Sequence, residues 1–205
     1  MNGKILSLSS YPIKGLSARG HETAKLRKGD GFPGDRLFGF AKKNSGFDPA
    51  DPKPLPKNRF IVLLQHARLA GLDTAFDADT RVLTIRTKDE PRLDFDMATQ
   101  SGADEASRFL TDLLGLKDEE APFFASAFPH RFTDASVAST TLMNAISFIN
   151  LDSVRAFGEE IGQNIDPRRF RGNILFEGWT PFSELETVGR HFRVGEVTFN
   201  VLHRT

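Results

Sequence analysis

The sequence predicts a mainly β fold with a few helices, an α+β chain folded as two β-barrel-like subdomains. Three observations lead there. Gly and Pro punctuate the chain throughout, short stretches between them alternate apolar and polar residues as half-buried strands do, and only two segments carry a sustained helical period.

Taken from the N-terminus, strands are expected near Lys4 to Ser9, Ala24 to Leu26, Leu37 to Lys42, Arg59 to Leu63 and Arg81 to Thr87. Residues 44–56 hold four prolines in a short polar run that sustains neither a helix nor a sheet ladder, so they read as a surface loop. Gln65 to Asp73 has Leu69 and Leu72 at helical spacing, which suggests a short helix weakened by Gly71. Gly102 to Leu116 sets Ala106, Phe109, Leu110, Leu113 and Leu114 on one helical face, with Asp104 and Glu105 in the first turn, where the helix dipole favours acids. A second helix is signalled by Asn150 as cap, by Leu151, Val154, Phe157 and Ile161 at helical spacing, and by Gly162 as the stop. Strands return at Asn173 to Glu177, His191 to Val194 and Glu196 to Leu202, the last pair joined by a tight turn at Gly195. A seam near Asp96 to Gly102 divides the chain into residues 1–98 and 99–205, and closure of the sheets into barrels would remove their open edges.

Composition narrows the function. With 27 basic and 27 acidic side chains the formal net charge is zero, so no global field recruits nucleic acid or an acidic membrane, and any anion site must be local. No apolar run approaches membrane-spanning length and the polar start lacks a secretory signal, which suggests a cytoplasmic protein. There is no cysteine, so disulfides, thiolate metal sites and a cysteine nucleophile are excluded within these 205 residues. Nineteen Phe against one Tyr and one Trp make the aromatic content core filling. Nucleotide-loop, zinc-protease and nucleophile-elbow signatures are missing, and the five histidines lack paired metal-ligand spacing, so no metal site is assigned.

Three segments could carry chemistry. Asp166 to Asn173, DPRRFRGN, sets three arginines and Gly172 before an apolar strand. Arginine grips phosphate with two parallel charge-assisted bonds, a glycine lets backbone come close to an anion, and Asn173 adds a neutral donor. In SSYPIKGL, Ser9 to Leu16, Lys14 stands at a strand end with Gly15 after it, as a phosphate arm would. In GFPGDRLFGF, Gly31 to Phe40, a glycine turn delivers Asp35 and Arg36 to the mouth of a strand. On local spacing alone the bland reading of each is favoured: a solvated basic turn, an exposed lysine, a structural Asp-Arg pair.

Together, in this order and at these separations, the segments resemble the MOSC family in its form with an N-terminal β-barrel domain, over nearly the whole chain. That family includes the C-terminal domain of molybdenum cofactor sulfurases and the amidoxime-reducing molybdenum enzymes. YPIKGL resembles its opening strand and GDRLFGF the following one. FTDASVAST and INLDSVRAFGEEIGQNIDPRRFRGNILFEG resemble the core MOSC motif, and PFSELETVGRHFRVGEVTFNVLHRT its final strands. The resemblance implies that Lys14, Gly15, Arg36, Arg171 and Asn173 hold the phosphate and pterin of the molybdenum cofactor (molybdopterin) in one cradle. It implies that Ser136 contacts the cofactor and that Asp134 is a catalytic proton donor near the metal. Gly15 departs from the pattern, since many members have serine there. The larger departure concerns the family's molybdenum-binding or sulfur-carrying cysteine, which lies a few residues past the strand equivalent to residues 197–205. The sequence given ends before it, as a piece of a longer chain or as a member without the family's reaction.

What the resemblance implies for function is an oxidoreductase that, when full length, reduces N-hydroxylated small molecules. A sulfur carrier for metal-sulfur cofactor assembly and a non-catalytic module for a phosphorylated ligand are the alternatives. Its partners would be a small-molecule substrate and an electron-transfer or sulfur-donor protein, with no nucleic acid and no membrane.

Overall fold

The computed structural model describes residues 2–88 and 91–204. Among them the strands are, in chain order, β1 (Lys4–Ser10), β2 (Arg19–His21), β3 (Phe38–Lys42), β4 (Asp73–Phe76), β5 (Val82–Arg86), β6 (Leu93–Asp96), β7 (Pro122–Ser126), β8 (Phe148–Asn150), β9 (Ile174–Glu177), β10 (His191–Val194) and β11 (Val197–Asn200). The helices are α1 (Gln100–Leu114), α2 (Thr140–Met143) and α3 (Leu151–Glu160). The α+β class expected from the sequence is therefore observed. The chain divides into two compact units, each discontinuous. One comprises residues 1–9, 20–26 and 145–205, the other residues 10–19 and 27–144.

The larger unit, 10–19 with 27–144, has two small sheets. β3 pairs antiparallel with β7, Phe40 opposite Phe124, and the second sheet runs β4-β5-β6. Phe40, Leu83, Ile85 and Leu110 are at most 1% exposed and centre one core, while Phe47, Phe60 and Phe132 centre another. Burying each such ring contributes about 2 to 3 kcal/mol. α1 packs against β6 and β7. It begins at Gln100, two residues before the expected start, because the Thr99 hydroxyl accepts from the Gly102 amide at 3.1 Å and so caps the helix. Asp104 and Glu105 consequently lie in the second turn, bonded to Gln100 and Ser101 at helical spacing, rather than beside the N-terminal dipole.

The smaller unit, built from residues 1–9, 20–26 and 145–205, carries the sheet β2-β1-β9-β8, in which β1 runs antiparallel to β9 and β9 parallel to β8. α3 follows β8 directly, with the Asn150 side chain accepting from the Asp152 amide at 3.2 Å and Gly162 in the left-handed region just past its end. The hairpin β10-β11 turns at Gly195, φ +57°, and lays Phe192 and Phe199 within 5.0 Å of the Phe148 ring.

Several expected elements differ. No strand forms at Ala24 to Leu26; Arg19–His21 pairs instead. Arg59 to Leu63 contributes one bridge, Phe60 to Ala41, because Phe60, Ile61 and Val62 are all buried in succession and the two-residue alternation of a half-buried strand is lost. Gln65 to Asp73 forms a 3-10 turn at Ala67–Gly71 and then enters β4. Nor do the sheets close into barrels among the described residues. With strands of three to seven residues in sheets of two to four, edges are covered by side chains instead. On the β4 edge the Thr74 amide donates to the Ser17 hydroxyl at 3.1 Å, and the Ser17 amide donates to the Thr74 hydroxyl at 2.9 Å.

Candidate anion site at Lys14

The segment carrying Lys14 is fixed by backbone pairing inside the larger unit. The Phe38 amide donates to the Pro12 carbonyl at 3.0 Å, and the Lys14 amide donates to the Phe38 carbonyl at 2.8 Å. The next residue must be glycine. Gly15 has φ +87°, and a Cβ there would stand 2.5 Å from the Ile61 carbonyl oxygen, so a serine has no room.

That pairing turns the Lys14 side chain inward. It is 7% exposed; its Nζ donates to the Phe132 carbonyl at 2.8 Å, lies 6.0 Å from the centre of the Phe60 ring and forms an ion pair with the Asp134 carboxylate. Asp134 opens a 3-10 turn, Asp134–Val137, in which the buried Ser136 hydroxyl donates to the Thr133 carbonyl at 2.7 Å. A second cation, Lys57, approaches the other oxygen of Asp134 at 3.7 Å. Partial burial pushes the Asp134 carboxyl upward, but the charge and hydrogen bond of Lys14, with Lys57 and Arg36 behind them, hold it below the ordinary aspartate range. Asp134 is thus a carboxylate at neutral pH.

Arg36 is set by its backbone as much as by its charge. It sits in the left-handed region, φ +51°, which costs a non-glycine residue about 1 kcal/mol. There its amide donates to the Tyr11 carbonyl and its carbonyl accepts from the Phe132 amide, both at 2.8 Å, tying the Lys14 segment to the Asp134 segment. Its guanidinium lies 5.1 Å from the centre of the Tyr11 ring and pairs with Asp35, whose other oxygen accepts from the Tyr11 amide at 2.7 Å. Beneath the turn, buried Arg131 donates to the Phe32 and Asp35 carbonyls at 2.8 Å and to Asp30 at 3.0 Å. A Cβ on Gly31 would lie 2.8 Å from the Arg131 Nε, which is why that position is glycine.

Lys14, Gly15, Arg36, Asp134 and Ser136 therefore belong to one unit, and Arg171 and Asn173 to the other. In that other unit the Asn173 side chain, 1% exposed, is engaged by protein: its oxygen accepts from the Ser147 amide and hydroxyl at 3.1 and 3.0 Å, and its nitrogen donates to the Ser9 carbonyl at 3.2 Å. Arg171 is left-handed at φ +52° and closes the turn after Asp166 by donating its amide to the Arg168 carbonyl at 3.1 Å. Gly172 has a packing reason, since a Cβ there would lie 2.3 Å from the Ile149 side chain. Lys57 and Arg131 were missed in the sequence. The glycine at position 31, beside a turn, was the one signal that a large side chain passes close by.

Family models match over the full length: the MOSC N-terminal beta barrel domain over residues 2–130 and the MOSC domain over residues 129–205. The chain belongs to the MOSC family. No curated protein and no solved structure matches it. In this MOSC chain the Lys14 cluster falls within the N-terminal match apart from its Arg131 to Ser136 arm, which falls within the second. No helix among the described residues is long and apolar enough to cross a membrane, and none of their His, Asp and Glu side chains form a group of three able to hold a metal ion.

Proposed function

We propose that this MOSC chain binds the molybdenum cofactor by its phosphate and serves an oxidoreductase acting on N-hydroxylated small molecules. The observation that carries the reading is the near-complete burial of the Lys14 ammonium against a single carboxylate, with Lys57 and Arg36 close by. Two ammonium groups and a guanidinium around a carboxylate suit a doubly charged phosphate, and the family is associated with this cofactor. The residues present fit the phosphate-bearing end. They contain no cysteine, so the soft sulfur that molybdenum favours is not among them.

In this reading Lys14 and Lys57 hold the phosphate, Arg36 adds field and keeps the Lys14 and Asp134 segments in register, and the Phe60 and Phe132 rings keep water from the Lys14 stem. When bound, the cofactor supplies the two-electron reduction that removal of an N-hydroxyl oxygen requires. Removing that oxygen as water also consumes two protons; in this reading Asp134, a carboxylate at rest, would pass on one that it first takes from solvent. An electron-transfer protein and a cytoplasmic setting complete the proposal.

The absence of cysteine favours a second reading, a non-catalytic module that holds a phosphorylated ligand. Sulfur carriage needs a thiol, which these residues lack. The test mixes the cofactor with wild type, Lys14→Ala and Arg171→Ala and measures pterin fluorescence retained after gel filtration. Wild type is expected to retain it and Lys14→Ala to lose at least tenfold. Equal, negligible retention by all three overturns the cofactor reading. Retention without reduction of an N-hydroxylated substrate by the wild-type chain, supplied with a chemical electron donor, favours the binding module.

A further inference from the structure

Asp134 is held differently from Asp35, Asp30 and Asp77 of its unit. Asp35 accepts a backbone amide from Tyr11, Asp30 accepts one from Gly31, and Asp77 accepts two, from Asp79 and Thr80. Those carboxylates are built into turns. Among the described residues the Asp134 carboxylate accepts from no backbone amide; it touches Lys14 and, more loosely, Lys57. Its side chain is 61% exposed while that of Lys14 is 7% exposed, so the carboxylate covers the solvent side of an otherwise buried ammonium. A rotation of one side chain would uncover Lys14 without disturbing any backbone bond.

We infer that Asp134 is an internal anion seated on Lys14, and that a phosphate group displaces it from that ammonium. The inference rests on the anion-site reading above. Its physical basis is charge matching. Lys14 and Lys57 bring two positive charges to one carboxylate, and the neighbouring Arg36 is already balanced by Asp35. A doubly charged phosphate satisfies both ammonium groups where a single carboxylate leaves one excess charge. Carboxylate and phosphate repel each other, so both cannot remain on Lys14. Once off Lys14, Asp134 loses the interaction that holds its carboxyl below the ordinary aspartate range, and its titration moves upward.

The arrangement predicts a sign that a simple contact residue would not give: removing the Asp134 charge strengthens anion binding. Inorganic pyrophosphate is titrated by calorimetry at pH 7 into wild type, Asp134→Asn and Lys14→Met, each checked for folding by circular dichroism. Asp134→Asn is expected to bind about tenfold more tightly than wild type, the order expected for deleting one like charge beside the anion in a partly hydrated site. Lys14→Met is expected to lose binding. Independently, carbon-13 NMR of the wild-type Asp134 carboxyl is expected to show its titration moving upward when pyrophosphate saturates the site. Binding that is equal or weaker in Asp134→Asn, or an Asp134 titration unmoved by bound pyrophosphate, overturns the displacement and leaves the anion site standing. No binding by wild type and Asp134→Asn alike overturns both.

Discussion

A lysine with 7% of its side chain exposed needs polar partners for its ammonium, and the Phe132 carbonyl and the Asp134 carboxylate are two of them. The same contact sets a pH dependence of stability. Because the folded Asp134 carboxyl is held below the aspartate value of 3.8, its contribution is fully present above that value and is lost as pH falls through the lower, folded one. The exposure of Asp134 limits the magnitude, since a solvent-screened pair contributes less than about 1 kcal/mol. Melting temperatures between pH 6 and pH 3 should therefore fall more steeply for wild type than for Asp134→Asn, with the two curves converging in acid; parallel curves would show that the pair adds nothing to stability. At this scale the local residues were a poor guide. Lys14 and Arg36 on their own spacing read as a surface lysine and a structural pair, and only the order of segments along the chain raised them together. Arg131 stayed invisible because its carbonyl partners, Phe32 and Asp35, lie 99 and 96 residues away.

At the level of elements, the helices were legible because they are long. α1 and α3, of 15 and 10 residues, show several turns of apolar period and a capping side chain each, and both were readable. β4, β6, β7 and β8, of three to five residues, went unread, while β9, β10 and β11, at four residues each, were read beside the glycines at 172 and 195 that mark their turns. The parallel pair β8-β9 also explains a glycine that had looked functional. Gly172 enters β9 with no space for a Cβ, which would meet the Ile149 side chain of β8 at 2.3 Å. Gly172→Ala should destabilise the protein by about 1 to 3 kcal/mol through overpacking. Ile149→Ala alone leaves a cavity, yet added to Gly172→Ala it should recover part of the loss, because each change makes room for or fills the other. Urea unfolding of both single variants and the double variant measures the coupling, and strict additivity would mean that Gly172 serves something other than this contact.

For the whole molecule, the main lesson is that sequence order and folding unit do not coincide. In the sheet β2-β1-β9-β8, strands from the first 21 residues join strands that begin at Phe148, and β1 lies between β2 and β9. A seam sought by composition shift along the chain has no means of detecting such a return, because the pairing partners are separated by more than 160 residues, as Leu8 and Ile174 are. A consequence follows for fragments. Residues 129–205, the extent of the MOSC domain match, contain β9 but not the strand that covers it. Without β1, the β9 amides and carbonyls on that side lose their partners and Ile174 and Phe176, 4% and 7% exposed in the whole chain, lose cover. The isolated fragment should therefore show little protected sheet by amide hydrogen exchange. Adding a synthetic peptide of residues 1–26 should restore slow exchange at 174–177, while a peptide with Ile5 and Leu8 changed to Asp should not. Slow exchange in the fragment alone would mean that the ring cluster of Phe148, Phe176, Phe192 and Phe199 suffices to hold this half together without β1.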